Sequence, residues 1–126
     1  PTHLPGDITS AISHATVTTA HDLNAKAIIT VTKSGATARQ ISKYRPHCLI
    51  ISATTSEKVR RQNNLSWGVL PVMCKEKSNT DELFEHAVAV AKQTGMIEKG
   101  DIVVITAGIP LGQSGTTNML KVHEVE

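Results

Sequence analysis

Apolar residues recur along the chain in two alternating patterns. Short, uncharged runs rich in β-branched residues predict buried strands. Segments whose apolar positions are spaced by three and four predict helices. The predicted strands cover residues 27–31, 48–52, 69–73 and 102–106, and the predicted helices cover residues 8–23, 38–43, 55–62 and 80–94. Residues 118–125 alternate apolar with polar side chains, which predicts a half-exposed last strand.

Capping residues set the expected ends of these elements. Asp7 is predicted to cap the first helix. Thr54 and Glu57 have the spacing of a capping box, which predicts the start of the third helix at that point. Asn79 or Thr80 is expected to cap the fourth helix.

The order of the elements predicts an α/β fold. Strands that alternate with helices form a parallel sheet with helices on both faces, a three-layer α/β/α domain. The last two strands have no helix between them and are expected to be antiparallel neighbours. We therefore predict a five-stranded, mostly parallel sheet of order 3-2-1-4-5 whose last strand is antiparallel. Pro71 favours an edge position for the third strand.

Composition narrows the possible functions. The chain has 126 residues, of which 40% are hydrophobic. That is the size of one domain, which we expect to span residues 1–126, with residues 1–6 as a leading segment. The net charge is +2 and aromatic residues make up 2% of the chain. Those values argue against a nucleic-acid or membrane partner.

Cysteine and histidine give no sign of a covalent or metal site. Cys48 and Cys74 each lie in or beside an apolar run, which is typical of reduced, buried thiols in an intracellular protein. The six histidines lack metal-ligand spacing. No nucleophile motif or motif-placed acid–base pair is present, so we predict no catalytic and no metal-binding residues.

The loop after the first strand offers groups that bind phosphate. It provides hydroxyls, an ammonium group, the backbone of a glycine and the positive end of the next helix. The candidate residues are Thr32, Lys33, Ser34, Gly35, Ala36 and Thr37. The loop is too short for a P-loop, and a strand-to-helix turn with these residue types is common as plain helix capping.

The loop after the fourth strand, residues 108–118, is longer than a strand connection requires. In the predicted strand order it faces the first loop across one crevice, where α/β sheets bind ligands. It is interpreted either as a lid over a bound phosphate or as a wide connection without a ligand. The candidate lid residues are Gly112, Gln113, Ser114, Gly115, Thr116 and Thr117.

The two loops together carry a family resemblance. The sequence Thr32-Lys33-Ser34-Gly35 is followed by Lys43-Tyr44-Arg45-Pro46, and the second loop ends in Ser114-Gly115-Thr116-Thr117-Asn118. With these motifs the chain resembles the C-terminal domain of pyruvate kinase over residues 7–125.

The resemblance implies a regulatory, non-catalytic domain of a cytoplasmic glycolytic enzyme. That enzyme transfers phosphate from phosphoenolpyruvate to ADP, using Mg and K in a separate barrel domain, so no cofactor is expected in this domain. The resemblance also implies a homo-oligomer, with other domains and subunits of the enzyme as partners. A phosphorylated effector would bind between residues 32–37 and 112–117.

One segment departs from the relatives that bind fructose bisphosphate. Residues 74–87 contain neither arginine nor tryptophan, and their cations are Lys75 and Lys77, plus His86. Lysine cannot form arginine's bidentate clamp, which favours a monophosphate effector such as a sugar monophosphate or AMP. Two alternatives stay open. One is a purely structural oligomerisation module, with an empty effector site, that pairs through its first helix and last strand. The other is a standalone phosphotransferase.

Overall fold

The computed structural model describes residues 5–31, 35–108 and 117–126, with side chains of the first range from residue 8. Four helices and five strands alternate within these ranges in the predicted order. The helices are α1 (Pro5–Asp22), α2 (Ala36–Lys43), α3 (Glu57–Asn63) and α4 (Thr80–Gln93). The strands are β1 (Ala27–Val31), β2 (Leu49–Thr54), β3 (Val69–Met73), β4 (Ile102–Ala107) and β5 (Met119–Glu124).

The five strands form one sheet of order β3-β2-β1-β4-β5. The pairs β1–β2, β1–β4 and β2–β3 are parallel, and β4–β5 is antiparallel. The predicted fold class and strand order are therefore confirmed. Pro71 lies on β3, an edge strand, where a residue without an N–H does not interrupt an inner ladder.

Two apolar clusters hold the helices to the sheet. The cluster on one face joins α1 and α2 to β1, β2 and β4 through Val17, Ala20, Ala38, Ile41, Ile28, Ile50 and Val104. The cluster on the other face joins α4 to the same strands through Leu83, Phe84, Ala87, Val88, Ala91, Ile29, Ile51, Val103 and Ile105. Successive strand residues point to opposite faces, and this explains why the inner strands are apolar throughout.

Three predicted helix starts are wrong. β2 continues to Thr54, which pairs with Met73, so Thr54 is a strand residue and cannot cap α3. Ser56 caps α3 instead, its Oγ accepting a hydrogen bond from the N–H of Val59. α1 already begins at Pro5, which places Asp7 inside the helix. α2 begins at Ala36, two residues earlier than predicted, because Gly35 supplies a left-handed turn with φ of 71°.

β5 is fixed by hydrogen bonds at its carboxyl end, whereas its outer edge pairs with no strand among the described residues. Val125 is buried, its N–H donates to the carbonyl of Asp101 and its carbonyl accepts from Gly100, both at 2.8 Å. Val122 is 44% exposed, more than the alternating pattern predicts, because β5 is an edge strand. Among the described residues, no helix is long and apolar enough to cross a bilayer.

Candidate functional site

The candidate site lies where β1 and β4 end side by side. The two strands are parallel neighbours, with Val31 opposite Ala107 at their carboxyl ends. The chain continues from β1 to β2 on one side, whereas β4 lies on the other side of β1. This is the topological switch point of the sheet, where open α/β sheets form a ligand crevice.

The structure describes the ends of both candidate loops. The described members are Gly35, Ala36, Thr37 and Thr117. The other predicted site residues, Thr32, Lys33, Ser34, Gly112, Gln113, Ser114, Gly115 and Thr116, lie outside the described residues.

The two loop ends are in direct contact. The hydroxyls of Thr37 and Thr117 share a hydrogen bond, and these residues are 2% and 1% exposed. The N–H of Thr117 donates to Thr9 Oγ1 at 3.2 Å. The next residue, Asn118, donates from its N–H to the carbonyl of Ala107 at 3.2 Å and so closes the base of the second loop. The structure thus brings together two segments that the sequence analysis selected separately.

Gly35 makes the tight turn from the first loop into α2. Its positive φ favours glycine, and a Cβ at this position would lie 2.6 Å from Val59 Cγ1 and 2.9 Å from Asn63 Nδ2. The backbone therefore approaches α3 more closely than any side chain would permit. Only the motif of the first loop, and not the packing beneath it, was evident from the sequence.

Asn63 supports this turn from α3. It is fully buried, and its Nδ2 donates to Ser52 Oγ at 2.7 Å. Its Oδ1 has no hydrogen-bond partner among the described residues and lies 3.2 Å from the position of a Gly35 Cβ. Sequence reasoning missed Asn63, since one polar residue at a helix end gives no signal of burial.

Thr9 was missed as well, although a signal existed. Thr9, Ser13 and Thr16 follow the helical spacing on the buried side of α1, where apolar residues would be expected. Such a polar stripe on a buried helix face indicates that the surface packed against it is polar too. Here that surface is the hydroxyl-bearing end of the sheet, where Thr30 pairs with Thr106.

The segment after β3 carries the remaining candidate cations. The N–H of Lys75 donates to His86 Nε2 at 2.9 Å. Partial burial, followed by the charges of Lys77 and Lys75, lowers the pKa of His86. His86 is therefore neutral at pH 7, and the two lysines alone supply positive charge there. β3 is two strands from β1, so the axes of these two strands lie about 10 Å apart.

The two cysteine thiols form neither a disulfide nor a metal site among the described residues. Cys48 and Cys74 are both free, and burial raises the pKa of each thiol. Cys48, only half buried, lines a cavity of about 290 Å³ with His21 and His47 near the amino end of β2. Within the described part of the chain, no group of three histidine, cysteine or acidic side chains could hold a metal ion.

The described side chains that meet at the crevice are hydroxyls and an amide. These groups donate and accept hydrogen bonds without titrating near neutral pH, so they suit binding rather than proton transfer. Residues 10–123 match the family described as pyruvate kinase, alpha/beta domain. The chain belongs to this family. The resemblance drawn from the loop motifs is confirmed.

Two pyruvate kinases match this chain over almost its whole length. A pyruvate kinase of Lactobacillus delbrueckii subsp. bulgaricus is 51% identical over 117 residues, which cover 93% of this chain and 20% of that protein. A pyruvate kinase of Staphylococcus aureus (strain USA300) is 51% identical over 118 residues, covering 94% of this chain and 20% of that protein. The chain thus spans one fifth of the length of these pyruvate kinases.

Proposed function

We propose that the chain is the regulatory, non-catalytic domain of a pyruvate kinase and binds a phosphorylated small molecule between the loops that follow β1 and β4. The main support is the hydrogen bond between Thr37 and Thr117. It joins the end of the loop predicted to bind phosphate to the end of the loop predicted to cover it. The enzyme served by this domain would transfer phosphate from phosphoenolpyruvate to ADP in the cytoplasm, and its Mg and K would bind outside this chain.

The start of α2 supports an anionic ligand. The first turn of α2 contains no acidic residue, whereas α4 has Asp81 and Glu82 at the corresponding place. Acidic side chains in a first turn neutralise the positive end of the helix dipole. In α2 that role is left to a bound anion.

A monophosphate is the ligand class that we favour. Lys75 and Lys77 are single-point charges that follow β3, whose axis lies about 10 Å from that of β1, and His86 is neutral at pH 7. A second phosphate would therefore lack a strong clamp among the described residues. We propose a sugar monophosphate or AMP as the effector.

Calorimetry tests this proposal. The 126-residue chain is titrated with glucose 6-phosphate, AMP and fructose 1,6-bisphosphate. We expect at least one monophosphate to bind, and Ser34→Asp to weaken it more than tenfold by like-charge repulsion. Thr18→Asp, which adds the same charge on an exposed position of α1, is expected to leave binding unchanged.

Two results would contradict the proposal. One is the absence of heat with all three ligands, and the other is formation of pyruvate by the purified chain from phosphoenolpyruvate and ADP.

A structural oligomerisation module remains the second candidate. The supporting observation is the exposure of apolar residues on α1, directly after it and on β5, namely Ile8, Leu23 and Val122. β5 is also a sheet edge, which can pair across a two-fold axis. Light scattering distinguishes the two functions. A dimer at micromolar concentration without phosphate binding favours assembly, and a monomer that binds phosphate favours regulation.

A further inference from the structure

Helix α1 reaches the crevice through Thr9, and its Ser10 Oγ also accepts a hydrogen bond from Gln40 Nε2 of α2 at 2.7 Å. Thr9 Oγ1 accepts the hydrogen bond from the N–H of Thr117, and the Thr117 hydroxyl is bonded to that of Thr37. All three residues are buried. Three separate segments, α1, the loop before β5 and the start of α2, are thereby joined by hydroxyl groups.

The buried side of α1 changes character along its length. Near the crevice it carries hydroxyl residues, and one turn after Ser13 it becomes apolar, with Val17 and Ala20 in the core. The sheet beneath changes in the same direction. Thr30 and Thr106 are register partners near the carboxyl ends, and Ile28 and Val104 are register partners two residues earlier.

The polar half of α1 and the sheet beneath it bury hydroxyls without hydrogen-bond partners. The hydroxyls of Ser13, Thr30 and Thr106 have no partner among the described residues, and Thr16 bonds within α1 to the carbonyl of Ile12. Buried hydroxyls that lack partners cost free energy. Segments of low local stability are the ones that shift when a ligand binds.

We infer that Thr9 is a positioning residue that couples the crevice to the N-terminal half of α1. Thr9 holds Thr117, and Thr117 holds Thr37, so a change at either end alters the other. The identity of the ligand rests on the proposed function, but the coupling between Thr37 and α1 does not. Because coupling is reciprocal, a ligand in the crevice stabilises α1, and a well-packed α1 strengthens ligand binding.

Hydrogen exchange of the ligand-free chain tests the coupling alone. In Thr37→Val we expect the amides of residues 10–17 to exchange at least threefold faster than in the unchanged chain. Thr37→Ser, which keeps the hydroxyl, is expected to restore the original rate, and Thr18→Val, on the exposed side of α1, to leave it unaltered. An unchanged exchange rate in a folded Thr37→Val variant would overturn the coupling. Equal acceleration in Thr37→Ser would overturn it as well.

Calorimetry with AMP and glucose 6-phosphate tests the effect on binding. We expect Thr9→Val to weaken the bound probe at least fivefold, and Thr9→Ser to stay within twofold of the unchanged chain. Equal affinity in Thr9→Val and the unchanged chain would overturn the role of Thr9. If the unchanged chain binds neither probe, the assignment of a monophosphate effector fails, and the exchange experiment still decides the coupling.

Discussion

At Gly35, both the backbone conformation and the packing of neighbouring side chains require glycine. Its φ of 71° lies in the left-handed region, and Val59 and Asn63 of α3 fill the space that a side chain would need. Gly68 has nearly the same φ, 68°, but no atom lies within 4 Å of its potential Cβ. A comparison of the two glycines therefore separates the energetic cost of a left-handed backbone from the cost of steric contact.

We predict that Gly35→Ala lowers the free energy of unfolding by about 3 kcal/mol, through both left-handed strain and overpacking against α3. Gly68→Ala is expected to lower it by only about 1 kcal/mol, since it adds strain without contact. Urea unfolding of the two variants measures both values. Equal losses would show that Val59 and Asn63 do not restrict the turn.

A row of hydroxyl residues crosses three strands beneath α1 and α2. Ser52, Thr30 and Thr106 are register partners on β2, β1 and β4 and share one face of the sheet. Ser52 accepts a hydrogen bond from Asn63, whereas Thr30 and Thr106 have no partner among the described residues. Neighbouring hydroxyls of this row therefore differ in energy, because that of Ser52 has a hydrogen-bond partner among the described residues and those of Thr30 and Thr106 have none.

We predict that Thr106→Val raises the free energy of unfolding by about 1 kcal/mol, because it replaces a buried hydroxyl without a partner by a methyl group of the same shape. Ser52→Ala is expected to lower it by about 1 kcal/mol or more, because Asn63 Nδ2 loses its acceptor. Thermal and urea unfolding compare the two variants. Loss of stability in Thr106→Val would indicate that its hydroxyl binds a buried water molecule.

The element pattern was largely predictable from sequence, and its contacts were not. Short apolar runs and the missing last helix were enough to predict a mostly parallel sheet with an antiparallel last pair, because few topologies satisfy both. The predicted cap at Thr54 was wrong because pairing with Met73 extends β2, and that pairing involves a distant segment. The bond between Thr9 and Thr117 joins residues 108 positions apart, so no local pattern could reveal it.

At the scale of the whole molecule, the sheet separates two chemical environments. Hydroxyls and an amide surround the switch point between β1 and β4, and the cations Lys75 and Lys77 follow the edge strand β3. His86 lies beside these cations, and burial followed by their charges lowers its pKa below the ordinary value of 6.5. The folded chain consequently binds a proton at His86 less readily than the unfolded chain.

We predict that acidification below about pH 6.5 weakens the fold through His86. A histidine whose pKa is lowered by folding costs stability once the unfolded chain becomes protonated, so stability falls as the pH drops through this range. In His86→Gln we expect the free energy of unfolding to change less between pH 7 and pH 5 than in the unchanged chain. At pH 8, where His86 is neutral in both the folded and the unfolded state, we expect the two proteins to differ little in stability. Identical pH profiles in urea unfolding would contradict the prediction.

The connection from Thr9 through Thr117 to Thr37 contains no charged group. Ion pairs at a surface weaken as the salt concentration rises, and histidine contacts change with pH, but hydrogen bonds between buried neutral groups do neither. Binding of a charged phosphate would still depend on ionic strength. Transmission from the crevice to α1 would not, so a given occupancy of the crevice would stabilise α1 equally in dilute buffer and in concentrated salt.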